Sequence, residues 1–202
     1  MTLFEYDENI RNNDSIVLCG VDEAGRGPLA GPVYAAAVIL PLGLEIDGLN
    51  DSKKISEKKR EQLFDVICEK AVDYSIGIAT EQEIDEINIL NATFLAMHRA
   101  VEGLKIKPDY ALIDGNQYPK IPFVMEETVV KGDAKVMSIA AASILAKVSR
   151  DRFMLEKSKE FPQYQFEKHK GYGTKLHYEM LKEYGPSPIH RMTFLKKLYG
   201  EK

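Results

Sequence analysis

The strongest constraint on the fold is a pair of short apolar runs joined by a glycine-rich stretch near the start of the chain. Residues 16–22 (IVLCGVD) and 33–40 (VYAAAVIL) each have the length of a strand, and AGRGPLAGP lies between them. Apolar runs of this length that are bounded by glycine and proline indicate strands joined by a tight turn. The sequence therefore predicts a pair of strands with a loop whose backbone is exposed.

Helical and strand-like segments alternate along the rest of the chain. Ser56 and Thr80 are placed as N-caps of two amphipathic helices, and Glu83 stands in the capping-box position of the second, which we expect to run to Gly103. Residues 74–79 and 110–114 read as two further strands, and 136–157, which is rich in small residues, reads as a helix packed closely on the sheet. This alternation predicts an α/β domain with a mixed sheet.

Length and composition favour one domain with a small appendage. The chain has 202 residues, of which 45% are hydrophobic, so it can bury a substantial core. We expect a main domain over residues 1–160 and a C-terminal helical segment over 161–202 that is packed on it. No apolar run reaches the roughly 18 residues that a bilayer requires. With only Cys19 and Cys68 present, we expect a cytoplasmic protein without membrane contact.

Charge is distributed unevenly along the chain. Residues 1–128 carry 12 Lys and Arg against 23 Asp and Glu, a net of −11, whereas residues 129–202 carry 15 against 8, a net of +7. A basic C-terminal third could dock the phosphates that dominate nucleic-acid affinity. The same lysines could equally be solvated helix faces, so charge alone leaves both interpretations open.

Acidic residues stand where apolar runs end. Asp22 and Glu23 follow VLCGV, Asp114 follows YALI, and Asp133 follows VVKG. A buried carboxylate must be paired or must coordinate a cation. Because the candidate ligands are oxygen atoms and no His/Cys cluster is present, the pattern favours Mg²⁺ or Mn²⁺. Two such ions about 4 Å apart could activate water for hydrolysis of a phosphodiester.

Two alternatives to this interpretation stay open. Any one of these acids could be a helix cap or part of a surface ion pair. Adjacent residues of a strand also point to opposite faces, so Asp22 and Glu23 could share ions only if the strand ends or twists there. The same geometry counts against a glycoside hydrolase that would use Asp22 and Glu23 as its acid pair.

The loop over residues 24–32 directly follows Asp22 and Glu23. Gly25 and Gly27 allow a ligand to approach the backbone closely, and Arg26 adds a fixed donor. The stretch matches neither a P-loop nor a dinucleotide-binding fingerprint. By itself it could be an ordinary turn, and its position beside the two acids is what makes it a candidate binding loop.

Six blocks in order resemble the bacterial ribonuclease HII family, the type 2 ribonucleases H. They span about residues 16–194, nearly the whole chain. They are Gly20–Val33 (GVDEAGRGPLAGPV), Leu49–Ile55 (LNDSKKI), Leu112–Asn116 (LIDGN), Lys131–Asp133 (KGD), Ala141–Asp151 (AASILAKVSRD) and Lys170–Lys175 (KGYGTK). A minor departure is Ala140, where many members have serine. The chain lacks the lysine in place of Arg26 that usually goes with ribonuclease HIII.

The resemblance implies roles for individual residues. Asp22, Glu23, Asp114 and Asp133 would be the metal-binding catalytic carboxylates on an RNase H-like mixed sheet flanked by helices. Gly25, Arg26 and Gly27 would contact the 2′-hydroxyl that distinguishes RNA from DNA. Tyr172 would stack on the sugar of the following deoxynucleotide, although a tyrosine between two glycines could simply be packed. Phosphate or substrate contacts are implied for four further residues: Lys53, Ser143, Lys147 and Lys175.

Lys147 has an equally good alternative role. It stands four residues before Asp151 in a predicted helix, the spacing of an intrahelical ion pair. Asp151 itself could be structural, held by Arg150 or near a cap. None of the four histidines needs a metal role.

The resemblance implies an endoribonuclease that cuts the RNA strand of RNA–DNA hybrids. It would also cut on the 5′ side of single ribonucleotides in duplex DNA, leaving 5′-phosphate and 3′-hydroxyl ends. Two divalent ions, Mg²⁺ or Mn²⁺, would be its cofactors, and we expect a monomer. The alternatives are another two-metal nuclease of the RNase H fold, which would cut all-DNA duplexes, and a non-catalytic hybrid-binding module, which would be expected to lack a carboxylate.

Overall fold

A computed structural model describes residues 3–11, 16–49 and 55–199 of the chain. Within them a sheet has helices on both faces. Its strands are β1 (Leu18–Ala24), β2 (Val33–Ile39), β3 (Asp73–Ala79), β4 (Tyr110–Asp114) and β5 (Met125–Val129). The helices are α1 (Leu3–Arg11), α2 (Glu57–Lys70), α3 (Glu81–Glu102), α4 (Met137–Glu160), α5 (Phe166–His169), α6 (Lys175–Tyr184) and α7 (Met192–Tyr199). Short 3-10 turns lie at Gly132–Ala134 and Pro162–Tyr164.

The sheet is mixed, as the sequence predicts. Its strand order is β3-β2-β1-β4-β5. β1, β2 and β3 are antiparallel neighbours, whereas β4 runs parallel to β1 and β5 runs parallel to β4. Because β1 and β4 are parallel, their C-terminal ends meet at the same edge of the sheet.

Each face of the sheet is covered by a different helix layer. Val33, Ala35 and Ala37 of β2 belong to the core cluster shared with α3, whereas Ala36 and Val38 belong to the cluster shared with α2 and α4. This alternation follows from the two-residue period of a strand. A strand buried on both sides needs the continuous apolar run that the sequence has there.

The predicted helix starts are confirmed. The Ser56 side chain accepts a hydrogen bond from the amide of Lys59 at the start of α2. Thr80 and Glu83 form the complete capping box of α3, and α3 ends before Gly103. One local feature was not predicted: Asn88 has φ 68° and ψ 164°, so α3 consists of two helical pieces joined at a kink.

Helix α4 packs very closely on β1, as its run of small residues predicts. A Cβ atom added to Gly20 would lie 2.1 Å from the carbonyl carbon of Ser138. The alanines at 140, 141 and 142 are fully buried on the same helix. This close approach places the following turn of α4, which carries Ser143, beside the end of β1.

The structure also differs from the sequence-based expectations. Helix α1 and strand β5 were not predicted. β1 does not end at Asp22 but continues to Ala24, because Asp22, Glu23 and Ala24 pair with Ala36, Ala35 and Tyr34 of β2. In residues 3–11, 16–49 and 55–199, no helix combines the length and the apolar character that crossing a bilayer demands.

The segment after α4 packs against the glycine-rich loop. Tyr164, Phe166 and Leu181 share a core cluster with Leu29 and with Met154 of α4. Backbone hydrogen bonds join the same parts of the chain, including one from the amide of Leu29 to the carbonyl of Gly171. The C-terminal helices thereby hold their connecting loops beside the loop that follows β1. The division of the chain near residue 160 stays a prediction.

Candidate active site

Asp22 and Asp114 extend from neighbouring parallel strands towards the same helix. The pairing between β1 and β4 ends at Val21 and Ile113, and each acid is the next residue along its own strand. The residues two before them, Gly20 and Leu112, are also paired, so strand periodicity places both acids on the face that α4 covers. Asp22 is buried, with 5% of its surface exposed.

The surroundings of Asp22 disfavour its charged form. Burial raises the pKa of Asp22 well above its usual value, and the charges of Glu23 and Asp114 raise it further. Two hydrogen bonds act in the opposite direction: the hydroxyl of Ser143 and the amide of Glu23 both donate to the carboxylate, the latter at 2.7 Å. Two acidic side chains are therefore close enough to repel a third.

Glu23 acts on Asp22 although the two residues are neighbours on one strand. The charge of Glu23 raises the pKa of Asp22 more than the charge of Asp114 does. Glu23 is half-buried, and its Oε1 lies 3.3 Å from Nη1 of Arg26 in the following loop. It also lines the same cavity as Ser143, whose hydroxyl contacts Asp22. Adjacent residues of a strand point to opposite faces, but here the two carboxylates are still close enough to interact electrostatically.

Asp133 lies in the turn that follows β5. The amide of Gly132 donates to Oδ1 of Asp114 at 2.6 Å, which joins this turn to the end of β4. Asp133 is buried at 6% exposure. Lys131, which precedes the turn, is in the left-handed region at φ 58°. Within the described residues, no group of three or more His, Cys, Asp or Glu side chains could hold a metal ion as it stands.

A cavity of about 220 Å³ adjoins these acids. It is lined by Glu23, Ala24, Gly25, Arg26, Gly27, Ser143, Lys147 and Tyr172. A side chain is excluded at Gly25 but not at Gly27. Gly25 has φ +98°, and a Cβ atom there would lie 2.2 Å from Nε of Arg150, whereas the nearest atom to a Cβ on Gly27 would be Cε1 of Tyr172 at 3.9 Å. The loop and Tyr172 therefore line the same cavity, and Gly27 lies close to the Tyr172 ring.

The predicted lysine contacts have different surroundings. Lys147 lines the cavity and also forms the intrahelical ion pair, with its Nζ 2.6 Å from Oδ1 of Asp151. Lys175, at the start of α6, is 92% exposed, is not among the residues that line the cavity, and lies 3.8 Å from Glu179. Lys53 lies outside the described residues.

Two buried arginines behind the loop were not singled out from the sequence. Arg150 donates to the carbonyls of Pro32, Ala30 and Lys170, and its guanidinium lies 5.8 Å from the ring centroid of Tyr172. Arg191 donates to several carbonyls of the same loop. The available signal was weak: Arg150 stands in the AASILAKVSRD block, and Arg191 follows His190 in a family-like segment.

A mixed sheet with this strand order, with Asp22 and Asp114 at the adjoining ends of β1 and β4, is typical of hydrolases of the RNase H-like class. The family model described as Ribonuclease HII matches residues 19–197. Ribonuclease HII of Endomicrobium trichonymphae is 59% identical over 192 residues, which cover 95% of this chain and 91% of that protein. The chain therefore belongs to the ribonuclease HII family.

Solved structures agree with this assignment. The crystal structure of ribonuclease H2 from Pyrococcus horikoshii superposes with a TM-score of 0.75 at 30% identity, covering 91% of this chain and 96% of that one. A Bst-RNase HIII structure in complex with Mn²⁺ has a TM-score of 0.74 at 17% identity, covering 93% of this chain and 71% of that one. At this low identity the second match concerns the fold alone.

Proposed function

We propose that the chain hydrolyses the RNA strand of RNA–DNA hybrids and cuts on the 5′ side of single ribonucleotides in duplex DNA, leaving 5′-phosphate and 3′-hydroxyl ends. The observation that carries this proposal is the position of Asp22. It is buried, it is repelled by Glu23 and Asp114, and it lies beside a cavity lined by the glycine-rich loop and Tyr172. Family membership independently supports ribonuclease H activity.

Asp22, Glu23, Asp114 and Asp133 would hold divalent ions in this proposal. The donor set consists of carboxylate oxygens, which suit Mg²⁺ or Mn²⁺. Repulsion around Asp22 also fits a site that takes up positive charge, because a cation would favour the ionised form that burial disfavours. The RNase HIII that shares this fold was solved with Mn²⁺. When bound, two such ions would supply an activated water and stabilise the leaving oxygen.

The protein's own residues would select and orient the substrate. We assign contact with the 2′-hydroxyl to the loop Gly25-Arg26-Gly27, since its backbone lines the cavity next to Glu23. Tyr172, which lines the same cavity, would stack on the sugar of the following deoxynucleotide. Ser143 would hold Asp22 in place, and Lys147 would contact a phosphate while it keeps its ion pair with Asp151.

Basic residues of the C-terminal third would dock the duplex. Residues 129–202 carry a net charge of +7, and Lys175 is almost fully exposed beside the Tyr172 loop. We extend the proposed phosphate contacts to Lys53 on the basis of the sequence resemblance. We also propose that the protein acts as a monomer in the cytoplasm, where bacterial DNA lies.

Cleavage of a labelled duplex that contains one ribonucleotide tests the proposal. With Mg²⁺ or Mn²⁺ we expect a single cut on the 5′ side of the ribonucleotide, none in EDTA, and none in the all-DNA duplex. Asp22→Asn should abolish the cut, whereas Asp65→Asn, at an exposed position of α2, should not. Equal cutting of all-DNA duplex would indicate another nuclease of this fold. Binding without cleavage, or cleavage that Asp22→Asn leaves unchanged, would defeat the proposal.

A further inference from the structure

Arg191 holds the carbonyl side of the glycine-rich loop. The residue is fully buried, and its guanidinium donates to the carbonyls of Gly25, Arg26, Pro28 and Gly31 at distances of 2.6–2.9 Å. These four acceptors are uncharged backbone groups within seven residues of one loop. A single side chain thus fixes the orientation of several successive peptide groups.

This arrangement determines where the loop's amide groups point. The C=O and N–H bonds of a trans peptide group point in opposite directions. Because the carbonyls of Gly25 and Arg26 point at Arg191, the amides of Arg26 and Gly27 point away from it. Arg191 is buried behind the loop, whereas Gly25, Arg26 and Gly27 line the cavity. Arg191 therefore turns hydrogen-bond donors of the loop away from the protein interior.

His190, the preceding residue, is connected to the backbone of Tyr172 through a series of hydrogen bonds. The amide of Ser187 donates to Nδ1 of His190 at 2.8 Å. Nε2 of His190 lies 2.9 Å from Nε2 of His177, and Nδ1 of His177 lies 2.9 Å from the carbonyl of Tyr172. A backbone amide only donates and a carbonyl only accepts. One placement of the ring protons on His190 and His177 therefore satisfies every hydrogen bond from Ser187 to Tyr172.

In that assignment both imidazoles are neutral. His190 accepts at Nδ1 and donates from Nε2, and His177 accepts at Nε2 and donates from Nδ1 to the carbonyl of Tyr172. Burial lowers the pKa of His177 and of His190 to about 4, which agrees with neutral rings at physiological pH. The network fixes the backbone carbonyl of Tyr172, while 43% of the surface of this residue remains exposed.

Backbone hydrogen bonds tie these parts together. The amide of Gly31 donates to the carbonyl of Ile189, and the amide of Arg191 donates to the carbonyl of Leu29. The amide of Leu29 in turn donates to the carbonyl of Gly171. The segment 187–191 is therefore joined to the glycine-rich loop, and the loop is joined to the segment that carries Tyr172. Its two side chains extend the connection, one to the loop at 25–31 and the other to Tyr172.

We propose that His190 and Arg191 are positioning residues that set the geometry between the ribose-contacting loop and Tyr172, and with it the preference for a ribonucleotide in DNA. The inference rests on the proposed function, since it assigns a cause to the selectivity of that same site. Neither residue lines the cavity. Both act through groups that do.

Binding in EDTA and hydrogen–deuterium exchange test this inference together. For Arg191→Lys, which keeps the charge but has three donors instead of five, we expect faster exchange in a peptide covering residues 25–31. The ratio of affinities for a duplex with one ribonucleotide over the same all-DNA duplex should fall about tenfold, the factor for one lost hydrogen bond. The matched control is Arg152→Lys, at an exposed arginine of α4 paired with Glu61.

The role of His190 is tested with one variant that removes its hydrogen bonds and a second that restores a donor. His190→Phe keeps an aromatic ring but donates no hydrogen bond, so exchange over residues 169–174 should rise and the affinity ratio should fall. His190→Gln restores a donor and should recover part of both. The control is His98→Gln, on α3, where the ring contacts the carbonyl of Pro119. Thermal unfolding establishes that each variant is folded.

The outcomes separate this inference from the proposed function. A wild-type protein that does not cut the ribonucleotide duplex defeats the proposed function, and this inference with it. A wild-type protein that cuts it but binds both duplexes equally in EDTA defeats this inference alone. A wild-type preference that Arg191→Lys and His190→Phe leave intact defeats this inference alone. A merely structural role would weaken binding to both duplexes equally and leave their ratio unchanged, which would also overturn it.

Discussion

Gly20 of β1 lies directly against Ser138 of α4, with no space for a side chain between them. A Cβ atom at position 20 would lie 2.1 Å from the carbonyl carbon of Ser138 and 2.3 Å from the amide nitrogen of Ile139. Both neighbours are backbone atoms, which cannot rotate away. The separation of the sheet from α4, and hence of Asp22 from Ser143, depends on this glycine.

Replacing Gly20 by alanine should therefore destabilise the protein. We expect a loss of about 3 kcal/mol in the free energy of unfolding, because the added methyl group forces α4 away from the sheet. Urea denaturation followed by circular dichroism measures it. Gly43→Ala is the control: a Cβ there meets no atom within 4 Å, and only its φ of +72° is unfavourable, so about 1 kcal/mol should be lost. Equal losses would contradict the packing argument.

Asp22→Asn should remove activity and stabilise the metal-free protein. Cleavage should fall by more than about a hundredfold, because the proposed ion ligand is lost. The same change relieves the repulsion from Glu23 and Asp114. The side-chain oxygen of the asparagine can still accept the hydrogen bond from the backbone amide of Glu23. We expect the free energy of unfolding in EDTA to rise by about 1 kcal/mol. A decrease in stability would argue against repulsion at this position.

Tyr172→Ala should weaken binding of the ribonucleotide-containing duplex by about 1–3 kcal/mol, the range for loss of an aromatic stacking contact. Tyr172→Phe should bind nearly as well as wild type, since the proposed contact uses the ring and not the hydroxyl. Fluorescence anisotropy in EDTA measures both. Tyr118→Ala, at another half-exposed tyrosine, controls for general effects of removing a ring. If the phenylalanine variant also binds poorly, the stacking role is wrong.

Acid should destabilise the protein through the buried histidines. The pKa values of His177 and His190 are lowered from 6.5 to about 4, so the unfolded chain binds protons that the folded one does not. Their contribution to stability is complete above pH 6.5 and is lost as the pH falls towards 4. The loss should be on the order of 3 kcal/mol for each histidine. Chemical denaturation across this range measures it, and His190→Phe should flatten the dependence.

Local sequence signals determined much of the secondary structure. The capping box of Thr80 and Glu83 and the N-cap at Ser56 involve groups within three residues of each other, so their chemistry is readable without a fold. The apolar runs of β1, β2 and β4 were readable for a similar reason, because burial on both faces requires unbroken hydrophobic residues. Strand β5 was missed because its sequence, MEETV, is polar and half-exposed at the edge of the sheet.

Tertiary contacts decided what local patterns could not. Helix α1 docks through Asp7, which accepts from both the amide and the hydroxyl of Ser138, 131 residues away. The continuation of β1 through Glu23 depends on pairing with β2. The first contact joins residues 131 positions apart, so no local window predicts it. For the second, the sequence predicted the pair of strands but not how far their pairing extends.

The sequence by itself determined which residue types could do the chemistry: four acids at the ends of apolar runs, a glycine-rich loop after two of them, and a distant tyrosine between glycines. Only the tertiary structure decided that Asp22 and Asp114 face the same helix, and that Arg191 lies behind the loop. A side chain's chemical capacity belongs to the residue. Its partners depend on strand register and helix packing, which join positions more than 150 residues apart, as Arg191 and Gly31 are.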